Sequence, residues 1–165
     1  MACIVQDADS GAIRALSGGV DFRQHQFNAA LDGLLQPGSV LKPFVLLAAL
    51  QSGVSIDQKY ESKPLEIRLT HGQIWKVRNA GERYFGTISL ADALVLSDNT
   101  VYVQLLLEIG PERVRHLLRL AGIDAKIVTP SLSTGAIGPG VSPVQVCSAF
   151  SAFSACGRFF PPQIV

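Results

Sequence analysis

Charge is scarce in this chain. Of its 165 residues, 16% are Asp, Glu, Lys or Arg, where roughly a quarter is usual for a soluble domain. The formal net charge is +1, which gives no support for a nucleic-acid or polyanion partner, since that requires a concentrated basic face. Cysteine is scarce too. Cys3, Cys147 and Cys156 are odd in number and lack C-x-x-C spacing. They exclude a disulfide framework and a zinc pattern, and read as small apolar residues in a core. His25, His71 and His116 form no H-E-x-x-H pair, so neither a metal nor another cofactor is expected. No run of about 18 apolar residues occurs, and no signal peptide. An export address would lie outside this chain.

What is present is apolar. Hydrophobic residues make up 48% and the mean hydropathy is +0.31. The length suffices for one domain with a real core. A chain this apolar either packs against something or belongs to a larger unit.

Residues 3 to 8, "CIVQDA", and 12 to 17, "AIRALS", flank the turn "DSG" and predict a β-hairpin within residues 1–20. "NAALDGLL" holds a short helical turn. A helix is expected from about residue 40 to 51, stopped by Gly53 as a C′ glycine. "PLEIRLT" and "QIWKVR" alternate enough for a small extended excursion. A helical region spans 87–157. In it Ser89 with Asp92 resembles a capping box and opens a helix from Leu90 to Leu96. Asn99 or Thr100 caps a second helix, ending at Gly110. Pro111 opens a third, followed by Gly122. After the glycine-rich loop "STGAIGPGVSP", Ser142 and Pro143 start a last helix closed by Gly157. That loop lacks the GK[ST] ending of a phosphate loop. The fold class is α+β, mostly helical with one N-terminal strand pair. A lone hairpin is marginal in water, and no partner strand is expected later in the chain.

"QPGSVLKPF", residues 36 to 44, carries the chemistry. Ser39 and Lys42 are spaced i, i+3, so their side chains share a helix face. A serine at a helix N-terminus feels the positive end of the dipole, which favours oxyanion character. A lysine in apolar surroundings loses proton affinity, and a neutral amine there can take the hydroxyl proton. Those are the needs of a serine nucleophile without histidine. Pro43 removes an N–H in the first turn and disfavours α geometry at Lys42, which a plain cap does not need. Against this stands the structural reading: Ser39 an N-cap and Lys42 a surface charge. "SDN" at 97–99 likewise reads, alone, as a helix–helix connection. Trp75 and Tyr84 fit a cleft wall or plain packing equally.

Together, S-x-x-K and the later S-D-N resemble the penicillin-binding proteins, the serine DD-transpeptidases of the β-lactamase superfamily. "DADSGAIRALSGGVDF", "VRNAGERYFGTISLADALVLSDNTVYVQLLLEIG" and "STGAIGPGVSPVQVCSAFSAFSACGRFFPPQIV" extend the likeness along most of the chain, with the bifunctional class A type. The resemblance implies the N-terminal part of a transpeptidase-like fold over 1–165. It implies Ser39 as the nucleophile toward a stem-peptide D-Ala-D-Ala carbonyl, and Lys42 as the base. Ser97 would relay the proton to the leaving amine, and Asn99 would bind the substrate amide and help hold Lys42. It further implies β-lactam antibiotics as acylating mimics and a glycosyltransferase domain preceding this segment. The location it implies is the periplasmic face of a bacterial inner membrane, with the anchor outside this chain.

The family's third motif, K-T-G, is not found: Lys42, Lys59, Lys63, Lys76 and Lys126 are not followed by Thr-Gly or Ser-Gly. "STG" at 133–135 falls at the family's glycine loop. The chain is therefore expected to stop before that strand, and Met1-Ala2 to be a start placed inside a longer protein. A surface bared in this way would let two copies associate. Glu61, Glu66, Glu82, Glu108 and Glu112 sit in no motif of a deacylating glutamate, which argues against β-lactam hydrolysis. Beside the transpeptidase, a β-lactam-binding or sensing module and a non-catalytic piece of the same fold are the alternative readings.

Overall fold

The computed structural model describes residues 2–21, 23–69, 72–126 and 129–164. The expectations for His71, for the Thr70 end of the extended excursion and for the chain ends at Met1 and Val165 lie outside the described residues. In chain order the strands are β1 (Cys3–Gln6), β2 (Ala12–Ser17), β3 (Lys59–Ser62), β4 (Leu65–Arg68), β5 (Ile74–Val77), β6 (Gly86–Ser89) and β7 (Gln163–Ile164). The α-helices are α1 (Lys42–Gln51), α2 (Leu90–Val95), α3 (Asn99–Ile109), α4 (Pro111–Leu120) and α5 (Pro143–Ser154). The mixed α+β class is as expected. Two compact units emerge: Met1–Pro37 with Arg115–Ile127 and Ala136–Val165, and Gly38–Val114 with Val128–Gly135.

The first unit contains the predicted hairpin. β1 and β2 pair antiparallel, Cys3 opposite Ser17, with an irregularity between Val5 and Gln6. Asp7 shapes the turn: its Oδ1 accepts from the Asp9 and Ser10 amides, each at 3.1 Å. The expectation that no later strand joins the hairpin is corrected. β7 lies parallel to β2, with Ala12 opposite Gln163. Gly11 permits the approach, since a Cβ there would stand 2.2 Å from the Pro161 carbonyl oxygen. Two residues with neighbouring prolines carry no strand signal of their own; pairing to an existing edge makes this one. α5 packs on β1, and Ser148 Oγ donates to Gln6 Oε1 at 2.8 Å. As expected, Ser142 opens α5, in a full capping box with Gln145.

The second unit is organised around α3. Its sequence NTVYVQLLLEI is apolar nearly all round, as a helix buried on most sides must be. Val101, Tyr102, Val103, Leu105 and Leu106 have no exposed surface. α1, β3, α2 and the short turn Pro130–Thr134 pack against it. The extended excursion is the β4–β5 hairpin, Leu65 opposite Val77. A second pair, β3 with β6, was not expected; the polar strings KYES and GTIS hide it, and Tyr60 faces Ile88 in its register. Two further expectations are adjusted. α1 begins at Lys42 rather than near Val40, and Gly38–Leu41 form a tighter 3-10 turn. Pro43 has no N–H to offer the Ser39 carbonyl, so the α ladder cannot start at residue 40. The cap of α3 is Asp98, whose side chain accepts from the Val101 amide at 2.9 Å, and not Asn99 or Thr100.

Candidate active site

Ser39 sits in the 3-10 turn that feeds α1 and is exposed. It does not cap the helix: the N-cap residue is Leu41, and no side chain bonds the first turn. Lys42, the first residue of α1, is 1% exposed. The reading of Ser39 as a cap and Lys42 as a surface charge is thereby corrected. A lysine is almost never buried without partners, and the S-D-N segment supplies them.

The break between α2 and α3 arranges that segment. The Asp98 amide donates to Ala93 O at 2.9 Å and the Ser97 amide to Leu94 O at 3.0 Å. This is the double bond of a Schellman helix end, whose C′ residue adopts the left-handed conformation and is usually glycine. Here the C′ residue is Ser97, with φ +53°. Asp98 then begins α3 as its N-cap. One three-residue stretch therefore ends a helix, turns the chain and starts another, and both Ser97 and Asn99 come out facing Lys42.

Lys42 Nζ donates to Ser97 O at 2.5 Å, to Ser97 Oγ at 3.1 Å and to Asn99 Oδ1 at 2.8 Å. An ammonium has three protons to give, and these bonds engage all three. The Ser39 hydroxyl is not among the partners. Burial pushes the Lys42 amine down to about 8, with the nearby charge of Asp98 pulling the other way.

Behind this first layer lies a polar bracket that sequence reasoning missed. Asp98 is 1% exposed. Its Oδ1 accepts from Thr100 Oγ1 at 2.7 Å as well as from the Val101 amide, and its Oδ2 accepts from Ser62 Oγ at 2.5 Å and Asn79 Nδ2 at 2.6 Å. Burial alone would raise the Asp98 carboxyl, but the bonds from Ser62, Val101, Thr100 and Asn79 together hold it below the usual carboxylate range. Asn79 Oδ1 accepts in turn from the Asn99 and Thr100 amides at 2.8 and 3.2 Å. Asn99 Nδ2 donates to Arg78 O at 3.0 Å, which fixes its oxygen toward Lys42. The signal for Asn79 was its place just after a strand, in "VRNAG"; Ser62 gave none.

The turn Pro130–Thr134 closes the other side. Gly135 follows it with φ +88°, and a Cβ there would stand 2.3 Å from the N, Cα and O of Gly38. Two glycine backbones thus approach closely at Gly38, the residue that precedes Ser39. Of the sequence-predicted residues, the structure joins Lys42, Ser97 and Asn99 directly and places Ser39 one turn before Lys42.

The family model for the penicillin binding protein transpeptidase domain matches residues 1–165. The chain belongs to the penicillin-binding protein transpeptidase family. Penicillin-binding protein 1A of Neisseria meningitidis serogroup A is 36% identical over 159 residues, covering 94% of this chain and 20% of that protein. The Haemophilus influenzae penicillin-binding protein 1A is 28% identical over 166 residues, 99% of this chain and 19% of that protein. Its crystal structure superposes with a TM-score of 0.93 over 99% of this chain and 24% of that chain. The Mycobacterium tuberculosis protein PonA1, in its complex with penicillin V, superposes with a TM-score of 0.82 at 28% identity, over 98% of this chain and 45% of that chain. The chain spans about a fifth of the length of the curated relatives it matches.

Proposed function

We propose that the whole protein carrying this segment is a serine DD-transpeptidase that cross-links peptidoglycan stem peptides, with Ser39 as nucleophile and Lys42 as its base. The observation that carries this is the buried Lys42 amine held by Ser97 and Asn99 one turn after an exposed serine. When Lys42 loses a proton it has two N–H groups for three acceptors. The longest contact, to Ser97 Oγ, is the one released, and the lone pair left in its place is available to the Ser39 hydroxyl.

Ser39 Oγ bonds to the carbonyl carbon of the penultimate D-Ala, and its proton passes to Lys42. The tetrahedral intermediate collapses and the C–N bond breaks. The leaving D-Ala amine receives the proton from Lys42 through the Ser97 hydroxyl. Asn99 orients the substrate amide from the same edge. The amine of a second stem peptide attacks the acyl-Ser39 ester, gives its proton back along the same path and releases Ser39. A β-lactam ring enters the first half of this sequence and acylates Ser39. Water as acceptor gives carboxypeptidase activity instead. The reading extends to a glycosyltransferase domain elsewhere in the protein and to a location outside the cytoplasmic membrane; no helix among the described residues is long and apolar enough to cross it.

The test is the pH dependence of acylation. Only the neutral amine acts as base, so the rate constant for acylation by labelled penicillin falls about tenfold per pH unit below a midpoint near 8. Above the midpoint it levels off. A rate independent of pH between 6 and 9 would contradict Lys42 as the base.

A further inference from the structure

Tyr102 stands where the mechanism does not call for a tyrosine. It lies on α3 three residues after Asn99, has no exposed surface, and its phenolic oxygen has no hydrogen-bond partner among the described residues. A buried hydroxyl without a partner is unfavourable, so phenylalanine would serve packing better. What the side chain does offer is its ring: Lys42 Nζ lies over it, 5.5 Å from the centroid. A cation within about 6 Å of a ring centroid is attracted by the quadrupole, most strongly where water is excluded.

The other groups around Lys42 leave a role for that attraction. On α3 and its cap the titratable groups are Asp98, Tyr102 and Glu108, and Glu108 is engaged by the Tyr60 hydroxyl at 2.7 Å. The Asp98 oxygens are engaged by Ser62, Asn79, Thr100 and Val101 and make no bond to the ammonium. The turn Gly38–Leu41 brings a hydroxyl, Ser39, and the turn Pro130–Thr134 brings Ser131, Ser133 and Thr134. The direct partners of Nζ, Ser97 and Asn99, are neutral acceptors. Beside the more distant charge of Asp98, neutral acceptors and a ring face help keep a proton on an amine that burial would otherwise strip.

We propose that Tyr102 is a positioning residue for acyl transfer, whose ring face holds the Lys42 ammonium and sets the pH at which Lys42 becomes a base. This deepens the assignment of Lys42 made above and rests on it. Too low a proton affinity leaves a base that cannot carry the proton to the leaving amine, and too high a one leaves no base at all. Removing the ring moves the balance point down.

The experiment reads Lys42 itself. In the whole protein with 13C-labelled lysine side chains, the Lys42 Cε signal is titrated, its identity fixed by its loss in Lys42→Arg. Tyr102→Phe keeps the ring and removes the orphan hydroxyl, and its midpoint should match that of the unmodified protein. Phenylalanines carrying one to four ring fluorines, placed at 102 by nonsense suppression, weaken the quadrupole with little change of shape. Their midpoints should step downward by a total of about one pH unit, the size of a desolvated cation–π interaction. Tyr102→Leu should reach the low end of that series. The acid limb of penicillin acylation should move by the same amount, a change that loosened packing alone does not produce.

A midpoint that stays constant along the fluorine series overturns the proposal, and the series does so even if the leucine variant fails to fold. A Tyr102→Phe shift as large as that of Tyr102→Leu also overturns it, since the hydroxyl would then be the active part. A stepped Lys42 titration with no acylation at any pH would support Tyr102 as proposed while removing Ser39 as the nucleophile.

Discussion

Asp98→Ala should destabilise the protein by about 3–7 kcal/mol, the sum of ~1 for the lost helix cap on the Val101 amide and about 1–3 for each of two buried hydroxyls, Ser62 and Thr100, left without an acceptor. The donors at risk are the Ser62 and Thr100 hydroxyls and the Val101 amide, together with Asn79 Nδ2, which retains Arg83 O at 2.9 Å. Chemical denaturation at pH 7 reads the loss. Asp98→Asn keeps the shape and the cap but turns an N–H toward the Asn79 amide, and should cost about 1–3 kcal/mol. The sign of the pH dependence follows from the depressed Asp98 carboxyl. Its contribution is complete above the unfolded value of about 3.9 and is lost as pH falls through the lower folded value. The gap between the native protein and Asp98→Asn should therefore be constant from pH 5 to 7 and narrow below about 4. A gap that widens on acidification would contradict the bracket described here.

Gly135→Ala should slow penicillin acylation of Ser39 about 100-fold, the scale of an ångström displacement at a reacting atom. The new methyl meets the backbone of Gly38 at 2.3 Å, and backbone cannot rotate away as a side chain would. The left-handed φ of +88° adds about 1–2 kcal/mol of strain. Gly53→Ala is the control. Its φ is also +88°, but nothing lies within 4 Å of the added Cβ, so it should lose the strain energy alone and keep its acylation rate. Equal acylation losses in the two variants would show that strain, not the contact beside Ser39, is responsible.

The parts of the site written in local spacing were legible in the sequence. S-x-x-K needs one helical turn, and the awkwardness of Pro43 foretold an irregular start, which the 3-10 turn at Gly38–Leu41 provides. Reading 97–99 as a helix connection was also right, and it does not compete with the second motif: the Schellman end of α2 is what turns Ser97 toward Lys42. What stayed hidden depends on contacts distant in sequence. Asp98 is bracketed by Ser62 and Asn79, 36 and 19 positions away, and neither neighbourhood announces a partner. The strands β3 and β6 are polar and short, so their pairing depends on α3 packed against β3 and α2 against β6, and not on alternation. Tyr102 sits in a run of apolar residues and reads as core, which it is. Only its distance to Lys42 distinguishes it.

The proposed mechanism makes Ser39 a nucleophile activated by Lys42. Intact mass of the whole protein after incubation with benzylpenicillin, followed by peptide mapping, tests it most directly. One penicilloyl adduct is expected, on the peptide containing Ser39. It should be absent in Ser39→Ala and slowed by about 100- to 10,000-fold in Lys42→Met, the range of a lost general base. An adduct that persists in Ser39→Ala, or that forms at full rate in Lys42→Met, would contradict the account.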